Sequence, residues 1–104
     1  MALVVTDSNF EELSKDNDVL VIDLWAEWCG PCRALSPVIE DLSRQYAGKV
    51  AIGKVDVDAN PDICKKFGIR NVPTLLFIKK GELAEKAVGA LPKNAIASKI
   101  DALI

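Results

Sequence analysis

Histidine is absent from the 104-residue chain. That absence excludes His-assisted serine and cysteine nucleophiles, His-ligated zinc and His-ligated haem. Charge of one sign is also lacking: 13 Lys and Arg stand against 15 Asp and Glu, a formal net charge of −2. No basic field is available to hold a polyanion, so nucleic acid is not expected as a partner. Long apolar runs are missing as well. The longest, Val19 to Ala26, is broken by Asp23 and falls far short of the ~18 residues a membrane span requires. The opening Met1-Ala2-Leu3-Val4-Val5-Thr6-Asp7 has no basic segment ahead of an apolar block and does not read as an export signal. A cytoplasmic protein without membrane association is the expectation. Cysteine is sparse and odd in number, three in all, too few for the disulfide framework of a small secreted domain.

Half of the residues are hydrophobic and 27% are charged. A chain of this size and composition is expected to form one globular domain over residues 1–104, with no room for a second domain or a long lid. It contains no repeat, no low-complexity tract and no linker-like run.

An apolar strand at Leu3 to Val5 is followed by Ser8-Asn9-Phe10-Glu11, whose spacing predicts a capping box opening a short helix, with Phe10 and Leu13 on one face. Val19 to Trp25 is apolar at nearly every position instead of alternating, the mark of a central strand covered on both faces. From Pro31, residues Leu35, Val38, Ile39, Leu42 and Tyr46 recur with helical period, ending near Gly48, and Pro37 inside this helix should kink it. Val50 to Val57 is the next strand. Asn60-Pro61 then caps and starts a helix that Gly68 stops. Thr74 to Ile78 and Leu83 to Val88 form a hairpin about Lys80-Gly81, and a last helix from Pro92 turns Ile96, Ile100 and Leu103 inward. The pattern is α/β, a mixed sheet with helices on both faces.

Chemistry centres on Cys29-Gly30-Pro31-Cys32. A strand ending at Ala26 and a helix starting near Pro31 put both thiols at a helix N-terminus, three residues apart and within reach of a disulfide. The unpaired N–H groups and partial positive charge of that helix end stabilise a thiolate, most for the outermost residue, Cys29, which is expected to be exposed. Cys32 should face inward. Such asymmetry suits thiol–disulfide exchange: Cys29 attacks a substrate disulfide, and Cys32 resolves the mixed disulfide. Half of a zinc knuckle, which would need ligands beyond Cys64, and simple packing of two small residues remain alternatives. Asp23 is the misfit of the apolar strand. Burial should raise its pKa and let it accept the Cys32 proton, directly or through a water; a carboxylate satisfied by hydrogen bonds is the alternative.

Val21-Ile22-Asp23-Leu24-Trp25-Ala26-Glu27-Trp28-Cys29-Gly30-Pro31-Cys32 closely resembles the active-site segment of the thioredoxin family, and Arg70-Asn71-Val72-Pro73-Thr74-Leu75 and Val88-Gly89-Ala90-Leu91 resemble its two other substrate-facing loops. The resemblance spans essentially the whole chain. It implies a thioredoxin fold of about five strands and four helices. The implied activity is that of a general protein-disulfide reductase, an electron carrier in redox homeostasis that cycles between the Cys29/Cys32 dithiol and disulfide. No cofactor is implied, nor a metal; a flavoprotein thioredoxin reductase is implied as electron donor, disulfide-containing proteins as clients, and a monomer as the working form.

The resemblance further assigns the proton-acceptor role to Asp23 and places Lys54 beside it as a tuning charge, although a lysine reaching to the surface fits Lys54 equally well. Base rates favour a trans bond before Pro73, whereas the resemblance implies a cis bond with the Val72 backbone offered to an extended substrate. Trp28, Ile69, Val72, Gly89 and Ala90 would form an apolar rim, Gly89 leaving room for the substrate backbone. Gly30 and Pro31 would lie under the substrate, with Pro31 setting redox poise and the Gly-Pro pair favouring a reductant. Trp25 reads as a core residue, and Trp28 has that alternative too. Cys64 reads either as packing or as a secondary redox or dimerising thiol. Two rival functions stay open, a disulfide oxidase or isomerase and a noncatalytic module that grips a partner with its rim.

Overall fold

The apolar character of the strand ending at Trp25, interrupted only by Asp23, has a direct structural cause, since the strand runs through the middle of the sheet. The computed structural model describes residues 1–104. Its elements are β1 (Leu3–Val4), α1 (Phe10–Asp16), β2 (Val19–Trp25), α2 (Gly30–Gln45), β3 (Ala51–Asp56), α3 (Pro61–Phe67), β4 (Thr74–Lys79), β5 (Glu82–Val88) and α4 (Lys93–Asp101). The five strands are ordered β1-β3-β2-β4-β5. β2 is parallel to β3 and antiparallel to β4.

Alternation along β2 divides the core in two. Val19 and Val21, with Leu75 and Phe77 of β4, pack under Leu35, Ile39 and Leu42 of α2 and Ile96 and Ile100 of α4. Leu20, Ile22 and Leu24, with Leu76 and Ile78, pack against Phe10 of α1 and Ile63 of α3. Each fully buried Leu or Ile contributes about 2 kcal/mol of transfer free energy. Asp23 shares the parity of Val19 and Val21, so it points to the α2 side. Gly53 of β3 is there for close approach: a Cβ would run into the Val5 side chain and stand 3.1 Å from the Leu3 carbonyl oxygen, so β1 could not pair as it does. Lys80 and Gly81 both take positive φ, the backbone that a tight hairpin turn demands.

Two expected caps are made differently. The hydroxyl of Ser8 pairs with that of Thr6 at 2.9 Å, and α1 begins after Asn9, whose side chain instead ties the turn to Thr6 N–H and the Val4 carbonyl. Local side-chain bonds have outcompeted the capping box. Asn60 does occupy the cap position of α3, but its side chain accepts from Asp7 N–H and donates to the Asp56 carbonyl. The carboxylate of Asp7 takes over the capping, accepting from the N–H groups of Asp62 and Ile63 at 3.1 and 2.9 Å. Pro37 lies inside α2 without ending it, because the helix continues to Gln45.

Candidate active site

The site forms where β2 gives way to α2. The chain turns after Trp25 through a bond from Cys29 N–H to the Ala26 carbonyl, 3.1 Å, and α2 begins at Gly30 with Pro31 in its first turn, where a missing N–H costs nothing. Cys29 is therefore the N-cap. Cys29 and Cys32 are joined as a disulfide with Cα atoms 5.3 Å apart. The Sγ of Cys29 accepts the Cys32 N–H at 3.2 Å, so a helix-end donor is aimed at the outer sulfur.

The exposure expected for Cys29 is not found. In the disulfide state it is 5% exposed and Cys32 3%, because both pack with Ala26 while Trp25, Val57 and Val72 close over them. The two sulfurs thus differ in hydrogen bonding and not in exposure.

Asp23 has no exposed surface, and neither carboxylate oxygen has a hydrogen-bond partner. No side chain or backbone group of the protein satisfies the carboxylate. Burial pushes its pKa up to about 6, against a partly offsetting attraction from Lys54. Lys54 lies directly across from Asp23 in the β2–β3 register, yet makes no ion pair with it. Its ammonium donates to Ser36 Oγ of α2 at 2.7 Å and lies 5.6 Å from the Trp25 ring centre, on a side chain that is half-buried at the cleft. A cleft of about 400 Å³ opens here, lined by Cys32, Lys54, Ser36, Trp25 and the neighbouring Ala26, Glu27 and Arg33.

The Val72–Pro73 bond is cis, and the Pro73 carbonyl accepts from Gly89 N–H at 2.8 Å, so the loops before β4 and after β5 are tied together. Gly89 has φ +99°, which explains the glycine independently of any room it leaves for a substrate. Gly30 meets no such demand: its added Cβ would touch only the tip of Arg33 at 3.9 Å. Val72 is half-buried against the disulfide, Ile69 packs partly into the α1/α3 core, and Ala90 is exposed. Trp28 is no core residue. It is 69% exposed, its indole N–H donating to Asp58 Oδ2 at 2.9 Å, whereas Trp25 is half-buried. Cys64 is free and half-buried against the α1/α3 core, with its thiol pKa raised by burial and by the charges of Asp7 and Asp58. Three contributors went unread in the sequence: Asp58, Ser36, and Thr74, whose hydroxyl donates to the Asn71 carbonyl at 2.6 Å and braces the loop. Asp58 and Ser36 act on residues 30 and 18 positions away, where no local pattern marks them, whereas the Thr74 bond spans three residues inside a loop the sequence did mark, its bracing role alone going unread.

A family model described as Thioredoxin matches residues 1–102. The chain belongs to the thioredoxin family. It is 53% identical over 97 residues to the thioredoxin of Chlorobaculum thiosulfatiphilum, covering 92% of this chain and 90% of that one. It is 42% identical over 101 residues to thioredoxin 1 of a Nostoc species, covering 96% and 94%. Among solved structures, a mutant thioredoxin from Halobacterium salinarum superimposes with a TM-score of 0.90 at 36% identity, over 98% of this chain and 88% of that one. This thioredoxin-family chain is a thiol–disulfide oxidoreductase that acts as a protein-disulfide reductase, with Cys29 and Cys32 as its redox pair. Membership brings disulfide-bearing clients and a reductase as partners in general terms. No group of three or more Cys, Asp or Glu gathers as a metal-ligand set, and no helix is long and apolar enough to cross a membrane.

Proposed function

We propose that Cys29 is the attacking thiol, Cys32 the resolving thiol and Asp23 the proton acceptor between them. The observation that carries this assignment is the Cys32 N–H directed at Cys29 Sγ, which favours negative charge on that sulfur. The Cys29 thiolate attacks one sulfur of a client disulfide, and the other client sulfur leaves as a thiolate and takes a proton from solvent. Cys32 then gives its proton to the buried Asp23 carboxylate and attacks Cys29 Sγ. The second client sulfur departs, so two electrons have passed to the client and the Cys29–Cys32 disulfide is closed.

The client docks in extended form on the Val72 backbone, within a rim of Trp28, Ile69, Val72, Pro73, Gly89 and Ala90 over the Gly30-Pro31 turn, while Lys54 modulates Asp23. Residues 1–104 act as one domain, as a cytoplasmic monomer without cofactor, and a flavoprotein thioredoxin reductase restores the dithiol. Trapping tests the order of attack. Cys32→Ser, mixed with an oxidised client such as insulin, should accumulate a covalent complex through Cys29 that survives denaturation without reductant. Cys29→Ser should accumulate none, and equal trapping by both variants would show the assignment to be wrong.

A further inference from the structure

Lys54 is a cation placed opposite a buried, unpartnered carboxylate that nevertheless fails to pair with it. Cross-strand neighbours of parallel strands share a face, and a lysine stem is long enough to bring its ammonium to the Asp23 oxygens. The charge is held elsewhere by two contacts, the 2.7 Å bond to Ser36 Oγ and the Trp25 ring at 5.6 Å. Ser36 lies on α2 one turn beyond Cys32, so the helix that presents the resolving thiol also holds the lysine.

We propose that Ser36 is a positioning residue: its hydroxyl anchors the Lys54 ammonium on the α2 side of the cleft and keeps it from closing onto Asp23. This rests on the reading of Asp23 as the proton acceptor. A paired Asp23 would keep its negative charge to lower pH and would be a weaker acceptor for the Cys32 proton. An unpaired one holds a proton near its present value of about 6. Few other charges face the carboxylate. β4 presents Leu75 opposite it, α2 brings Cys32 and Ser36 to the cleft that Lys54 lines, and Asp56 and Glu40 line the adjoining groove, where Glu40 accepts from the Ala2 N–H. Glu27 and Arg33 edge the cleft itself.

The test is a titration of the Asp23 carboxyl carbon by NMR in the oxidised protein, where no thiol titrates beside it. Ser36→Ala should release Lys54 and lower the Asp23 midpoint by about one pH unit. Ser36→Thr, which keeps the hydroxyl, should leave the midpoint in place, and Lys54→Met should raise it. The double variant Ser36→Ala/Lys54→Met should titrate like Lys54→Met alone, because Ser36 acts only through the lysine. An unchanged or raised midpoint in Ser36→Ala would overturn the proposal, as would a lowering that persists without Lys54. The pH profile of disulfide reduction separates this from the underlying reading. If the midpoint moves and the profile does not, Ser36 positions Lys54 as proposed and Asp23 is not the base.

Discussion

Asp23→Ala should stabilise the folded protein at pH 7 by about 2 kcal/mol and slow disulfide reduction at the same time. The carboxyl has its pKa raised from 3.8 to about 6 by burial. The folded state therefore binds the proton more tightly than the unfolded chain. That favourable contribution is fully present below the unfolded value and is lost as pH rises through about 6. Above that pH the protein keeps an ionised group in a site that disfavours it by roughly 3 kcal/mol, from 1.36 kcal/mol per pKa unit. Alanine removes this burden, and the small void it leaves offsets part of the gain. Urea unfolding of the oxidised protein should show the gain at pH 7 and its shrinkage as pH falls from 6 towards 4. Resolution of the mixed disulfide should slow by about one to two orders of magnitude, since Cys32 has lost its acceptor. Destabilisation at pH 7 would contradict the unpartnered burial of Asp23, and an unchanged rate would remove it from the mechanism.

Cys32→Ser should lower multiple-turnover insulin reduction, with dithiothreitol as regenerating thiol, by about 10³-fold or more while sparing the first attack. In the intact pair the resolving thiol is held beside Cys29, with Cα atoms 5.3 Å apart. Well-oriented intramolecular groups act at effective molarities of about 10⁵ M or higher, which millimolar external thiol cannot replace. A pre-steady-state burst of one client thiol released per protein, followed by near-arrest, is the expected trace. Sustained turnover in this variant would mean that release does not pass through Cys32.

The sequence showed most clearly what repeats or clashes locally. The apolar run of β2 announced a central strand, the period of Leu35, Ile39 and Leu42 announced α2, and Asp23 stood out because a carboxylate is rare in such a run. Long-range bonds were not legible. The α3 cap comes from Asp7, 55 and 56 residues before the N–H groups it accepts from, and the Trp28 indole is held by Asp58, 30 residues away. Lys54 could be read as a neighbour of Asp23 or as a surface charge; the register sets it beside Asp23, and the bond to the Ser36 hydroxyl, 18 residues away, is what no local pattern announced. The burial of Cys29 was missed for a similar reason. A helix N-terminus is ordinarily open, and the cover comes from Val57 and Val72, which lie on other segments of the chain.

The central claim is that the helix-end donor makes Cys29 the reactive sulfur of the pair. Alkylation of the reduced protein by limiting iodoacetamide at pH 7, read by peptide mass spectrometry, tests it most directly. Cys29 should be modified at least about tenfold faster than Cys32, with Cys64 slower still. Modification of Cys32 first, or at a rate equal to that of Cys29, would contradict the account.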